Sequence, residues 1–112
     1  MKEQPLPEDK AKQLPPLDVL KQTEWCGEFE QLMRNRMIMG AFRYGRLADQ
    51  NFEGYDLVGE IKKRITKFET DGNLEHFVDA GNIAMIAYYH GKSKGFKMIA
   101  QDDSEHAEYK LQ

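Results

Sequence analysis

Apolar residues in the middle of the chain recur at the three- and four-residue spacing of helices, and no useful stretch shows the strict alternation of a strand. Between Asp18 or Thr23, both good N-cap residues, and Met39, the side chains of Trp25, Cys26, Phe29, Leu32, Met33 and Met37 share one helical face with the stem of Arg36. Gly27 within that stretch costs about 1 kcal/mol against alanine, which predicts a close helix contact or a helix that starts only after it. Gly40 to Gly54, GAFRYGRLADQNFEG, holds three glycines with Asp49 and Asn51 and reads as a loop with one or two turns. A second helix is expected from Tyr55 to Glu69, with Leu57, Val58, Ile61, Ile65 and Phe68 inward and Glu60, Lys62, Lys63 and Lys67 outward. The run TDGN supplies a stop at Gly72 and a start cap at Asn73. A third helix should then run through Tyr89, mostly burying Leu74, Phe77, Val78, Gly81, Ile83, Met85 and Tyr88. GKSKGFK from Gly91 reads as a basic loop, and DDSEHAEYKLQ as a short helix capped near Asp103 or Ser104.

The expected fold is therefore all-α: a small bundle of three main helices with an extended N-terminal arm and a short C-terminal helix. All four prolines lie in the first sixteen residues, which sets an arm at 1–17, a helical core at 18–90 and a basic loop with the last helix at 91–112. At 112 residues the chain forms one domain rather than two independent cores. Its one cysteine, Cys26, excludes a disulfide within the monomer, as expected of an intracellular protein. The N-terminus lacks an apolar core of signal-peptide length and no run of eighteen apolar residues occurs, so a cytoplasmic protein with no membrane segment is expected. A formal charge of −3 removes the global positive field that binding double-stranded nucleic acid calls for.

Two polar patterns suggest chemistry. Glu75, Asp79 and Asn82 stand at i, i+4 and i+7 on the third helix, one stripe of oxygens suited to a hard cation such as Mg²⁺, or simply a solvent-facing stripe. All five arginines, Arg34, Arg36, Arg43, Arg46 and Arg64, fall between positions 34 and 64, where guanidinium forks could grip phosphate. Phe42, Tyr44 and Phe52 offer faces for a base to stack on. The plain alternative pairs these arginines with Glu28, Glu30, Asp49, Glu53 and Glu60 on the surface. Gly91-Lys92-Ser93 is no P-loop, because the earlier glycine is replaced by Ile86 and no strand precedes it. His76, His90 and His106 lack zinc-ligand spacing with Cys26, and Ser93 and Ser104 lack a base for acyl transfer.

The order GAFRYG, a helix bearing basic residues, then KFETDGNLEHFVDAGNIAMIAYY resembles the MazG-type all-α nucleotide pyrophosphohydrolases, most of all the small phage dATP/dGTP diphosphohydrolase-like proteins. The match spans Met37 to Tyr89, roughly half the chain. The resemblance implies Mg²⁺ held by paired acids on neighbouring helices, with Glu75 and Asp79 as metal ligands and Glu60, Glu75 and Asp79 as the catalytic set. It also implies a second acidic pair on the partner helix, where this chain has Glu60 followed by Lys62, Lys63 and Arg64.

Three functions follow as expectations. The first is a phage-type protein, in the host cytoplasm, that binds a phosphorylated nucleotide through Arg36, Arg43, Tyr44, Arg46, Arg64 and Asn82 and sequesters that signal uncleaved, an anti-defence role. The second is Mg²⁺-dependent hydrolysis of a nucleoside triphosphate to monophosphate and pyrophosphate. The third is a protein-interaction module using the proline arm and Met33, Met37 and Met39. A homo-oligomer, most simply a dimer, is expected because three amphipathic helices and an apolar arm carry more hydrophobic surface than one layer covers, with Tyr88, Tyr89 and Phe96 clustered near a helix end.

Overall fold

The structure, a computed structural model, describes residues 13–101. The expected C-terminal helix and the first twelve residues of the arm lie outside them. Among the described residues there are four α-helices and no strand, so the fold is all-α: α1 (Leu17–Thr23), α2 (Gly27–Tyr44), α3 (Leu57–Asp71) and α4 (Glu75–Ser93), with a 3-10 turn at Leu47–Asp49. The described residues divide into two units, Cys26–Lys97 and a second made of 13–25 and 98–101. Helices α2, α3 and α4 all belong to the first.

The single helix expected from Asp18 or Thr23 to Met39 is two. Helix α1 begins right after Pro16, whose carbonyl accepts from the amides of Val19 and Leu20, and ends as Glu24 N–H donates to Leu20 at 3.0 Å. Cys26 is extended and α2 begins at Gly27, so the glycine sits in the first turn instead of weakening a helix interior. Trp25 and Cys26, expected on an inward face, are exposed.

Helix α2 also runs one turn further than expected. Gly40 and Ala41 stay helical, and the chain breaks only at Gly45, whose φ of 91° lies where L side chains rarely go. The region expected as a loop from Gly40 thus starts at Gly45, and Arg36, Arg43 and Tyr44 share one rigid helix. Between α3 and α4 the local signals act as read. Gly72 is left-handed with φ 69°, and Asn73 Oδ1 accepts the Glu75 amide at 3.0 Å. Asp56 caps the start of α3 by accepting from Gly59 N–H at 2.9 Å. Helix α4 continues to Ser93, so Gly91-Lys92-Ser93 is helical rather than loop.

Helix α4 is the centre of this unit, packed on α3 and crossed by α2. Val78, Ala80 and Asn82 are its buried residues, and Phe77 meets Phe68 of α3 with ring centroids 4.3 Å apart. At the α2 crossing, a Cβ on Gly81 would stand 2.9 Å from Met33 Sδ and 3.2 Å from Phe29 Cζ, so the close contact of α2 is made at Gly81 rather than at Gly27. Several positions expected to be inward are open instead: Val58, Leu74, Met85 and Tyr88 are exposed, because three helices with one close pair leave each of them an uncovered side. Leu32, Ile38, Met39 and Phe42 are likewise exposed on α2.

Candidate functional site

The stripe on α4 runs from exposed Glu75 through half-buried Asp79 to buried Asn82. It meets α2. Asn82 Nδ2 donates to the Met33 carbonyl at 3.0 Å, fixing the two backbones, and Asn82 is 7% exposed. One turn earlier, Arg36 Nε donates to Asp79 Oδ1 at 2.7 Å, and one more turn earlier Arg36 Nη2 lies 2.9 Å from Glu75 Oε2. Arg64 approaches from α3, with Nη1 3.7 Å from Asp79 Oδ2 and Nη2 3.8 Å from Glu60 Oε1. The three candidate acids are therefore drawn towards two arginines, and Glu60 lies also 3.4 Å from Lys63 Nζ.

This arrangement tests the fit of a divalent cation. Asp79 and Glu75 spend their best-placed oxygens on Arg36, so a guanidinium stands where a metal's charge would stand. Among the described residues no three His, Cys, Asp or Glu side chains are grouped to hold a metal ion. A cation bound to Glu75 and Asp79 would have to displace the Arg36 guanidinium from both.

Beside the seam opens a cavity of about 650 Å³, lined by Arg36, Arg43, Tyr44, Arg46, Arg64 and Asn82 together with Asp79. These are all six residues expected to bind ligand, brought to one place from α2, the Gly45 turn, α3 and α4. Glu60 and Glu75 are not in its lining. Asp79, Glu75 and Glu60 offset Arg36 and Arg64, so the uncompensated positive charge of the wall is that of Arg43 and Arg46, and the volume falls within the roughly 300–1,000 Å³ typical of small-molecule sites.

The plain surface-pairing alternative holds for two arginines, Arg34 and Arg64, the latter 3.8 Å from Glu60. Arg34 pairs with Glu30 at 2.9 Å, one turn away on α2. Arg43 and Arg46 pair with no carboxylate among the described residues, and Glu53, one of the acids the alternative offers, is taken by Lys94 at 2.6 Å. That hydrogen bond, and then the lysine charge, hold the Glu53 carboxyl below its ordinary range. Of the three aromatics offered for stacking, Tyr44 lines the cavity; Phe42 is 88% exposed outside it. Phe52 packs edge-on against Tyr55 and His90, with centroids 6.2 and 6.0 Å away.

Sequence reasoning missed Gln50. Its Nε2 donates to the Gly45 carbonyl at 2.9 Å, fastening the turn that carries Arg46, and its side chain lines the cavity. Only the glycine's positive φ signals such a turn, and φ is not written in composition. Leu47 and Ile86, apolar residues of the wall, were not singled out as lining either. No family model, curated protein or solved structure matches the chain.

Proposed function

We propose that the chain binds a phosphorylated nucleotide in the arginine-lined cavity and holds it intact, without a metal ion. One observation carries this reading: Arg43 and Arg46 are cations without carboxylate partners among the described residues, standing at a cavity of nucleotide size beside an aromatic ring. Guanidinium forks bind phosphate oxygens in pairs, and unpaired ones give up no existing ion pair to do so. Arg36 and Arg64 line the same cavity. The acids that a hydrolase would place on a metal neutralise these two arginines instead, which favours retention over cleavage and suits a protein that sequesters a nucleotide signal.

The test is a thermal-shift screen of nucleotides and cyclic nucleotide signals with Mg²⁺ and with chelator, followed by chromatography of each hit. The reading predicts stabilisation in both conditions and recovery of intact ligand. Pyrophosphate release would move the protein to the hydrolases, and no shift with any phosphorylated compound would end the reading.

The same proposal includes a homo-oligomer. Helix α2 has Phe29, Met33 and Met37 partly buried and Leu32, Ile38, Met39 and Phe42 exposed, so it is apolar on more than one side, as helices buried on more than one side are. Tyr88, Tyr89 and Phe96 are exposed as well. Sedimentation at micromolar concentration should show a dimer or larger; a monomer would count against it.

A further inference from the structure

Two residues that line the cavity, Asn82 and Arg64, each keep one polar atom closed to water and without a hydrogen-bond partner, Oδ1 and Nε. Their roles are not interchangeable. The Asn82 amide cannot be turned around, because its nitrogen is committed to the Met33 carbonyl and a reversed amide would set two oxygens together. Oδ1 is therefore an acceptor only, on a side chain more than nine-tenths buried. Arg64 Nε is a donor only, since guanidinium does not give up its proton. Both residues line one cavity, and Arg64 reaches Asp79, one turn before Asn82 on α4. Buried polar atoms are nearly always satisfied, so an orphaned acceptor and an orphaned donor on one wall call for explanation.

We propose that Asn82 and Arg64 read the base of the bound nucleotide. Asn82 Oδ1 accepts from a ring N–H or exocyclic amino group, and Arg64 Nε donates to the neighbouring carbonyl or ring nitrogen. One acceptor and one donor on residues of the same wall match the paired donor and acceptor of a nucleobase edge. A phosphate offers no donor to Asn82 Oδ1 and would be repelled by it. Arg64 is the side chain that makes room, since its guanidinium is held only by contacts of 3.7 and 3.8 Å. The inference rests on the nucleotide reading above and adds to it the part of the ligand that confers selectivity.

Calorimetry of the full chain separates the two. The probes are inorganic tripolyphosphate, the four common ribonucleoside triphosphates, and the tightest of these with every hydrogen on the donating base nitrogen replaced by methyl. Wild-type protein should bind at least one nucleoside triphosphate about tenfold more tightly than tripolyphosphate, the worth of about 1.4 kcal/mol, and methylation should erase that gain. Asn82→Leu should erase it too, while Arg43→Ala weakens every probe alike. Because Asn82→Leu also loses the Met33 contact and could fail to fold, the methylated ligand on wild-type protein decides the matter alone. Equal binding of nucleotide and tripolyphosphate, or a gain that survives methylation, overturns base reading and leaves phosphate binding standing. No binding of tripolyphosphate or of any nucleotide overturns both.

Discussion

The inner and outer ends of the cavity use the same residue type differently. At the inner end Arg36 and Arg64 are set against Asp79, Glu75 and Glu60, and their charge is spent within the fold. At the outer end Arg43 and Arg46 flank Tyr44 and Gly45 with no carboxylate in reach among the described residues. What an arginine does here is decided by whether a neighbouring helix delivers an acid. Helix α4 delivers its acids to the inner end only, because Glu75 and Asp79 stand on its first two turns while the wall beyond Asn82 continues as Ile83 and Ile86. A site that combines neutralised cations behind with free cations in front can bind an anion without rebuilding its own ion pairs.

The strongest challenge to this contrast is removal of the outer pair. Replacing Arg43 and Arg46 together with alanine should cost about 3 kcal/mol or more of phosphate affinity, taking each charged hydrogen bond at its usual worth. Thermal stability should stay within about 0.5 kcal/mol of wild type, as for surface positions without partners. Calorimetry and thermal melts on the same sample check both halves. Arg36→Ala should show the opposite balance. It leaves Glu75 without its cation and Asp79 with only the longer Arg64 contact, and the fold should lose about 1 kcal/mol after allowing for the partial exposure of the pair. A melt unchanged from wild type would place Arg36 with the outer arginines.

Gly81→Ala probes the crossing that sets Arg36 against α4. The added methyl meets Met33 and Phe29, an overpacking cost of about 1–3 kcal/mol, against about 1 kcal/mol gained in helix propensity. A net loss of about 1 kcal/mol is expected by denaturant titration, and a stabilised variant would show that α2 gives way easily.

The smallest effect lies away from the cavity, at the α3–α4 turn. The Asp71 carboxyl is held below its ordinary value, first by the hydrogen bond with His76 at 3.0 Å and then by the Asn73 amide. A depressed carboxylate contributes stability above its unfolded pKa and loses it as the pH falls through the folded one. Asp71→Asn should therefore flatten slightly the drop in melting temperature below about pH 4 and leave ligand binding untouched.

What could be read from the sequence follows from how local each signal is. Gly72 and Asn73 end one helix and start the next using groups within three residues, so the turn was legible in full. Gly40 and Gly45 look alike as letters, yet one stays helical and the other takes a positive φ, and the true end of α2 was lost in that ambiguity. The cavity residues were legible because arginine clusters are conspicuous and because Asp79 and Asn82 sit at helical spacing. Two things were not: that the acids would be consumed by Arg36, a contact across 43 residues of chain, and that Asn82 would be locked by a backbone carbonyl 49 residues away. Burial at Leu74, Met85 and Tyr88 was misjudged because periodicity marks an apolar face without saying whether a neighbouring element covers it.

The most direct measurement is calorimetric titration of one nucleoside triphosphate into wild-type protein and Asp79→Asn, each with Mg²⁺ and with chelator. Metal-independent grip by the arginines predicts binding undiminished in chelator, and an Asp79→Asn variant that binds as tightly or more tightly because a negative charge has left the cavity wall. Binding that appears only with Mg²⁺ and disappears in Asp79→Asn would make Asp79 a metal ligand and contradict the account.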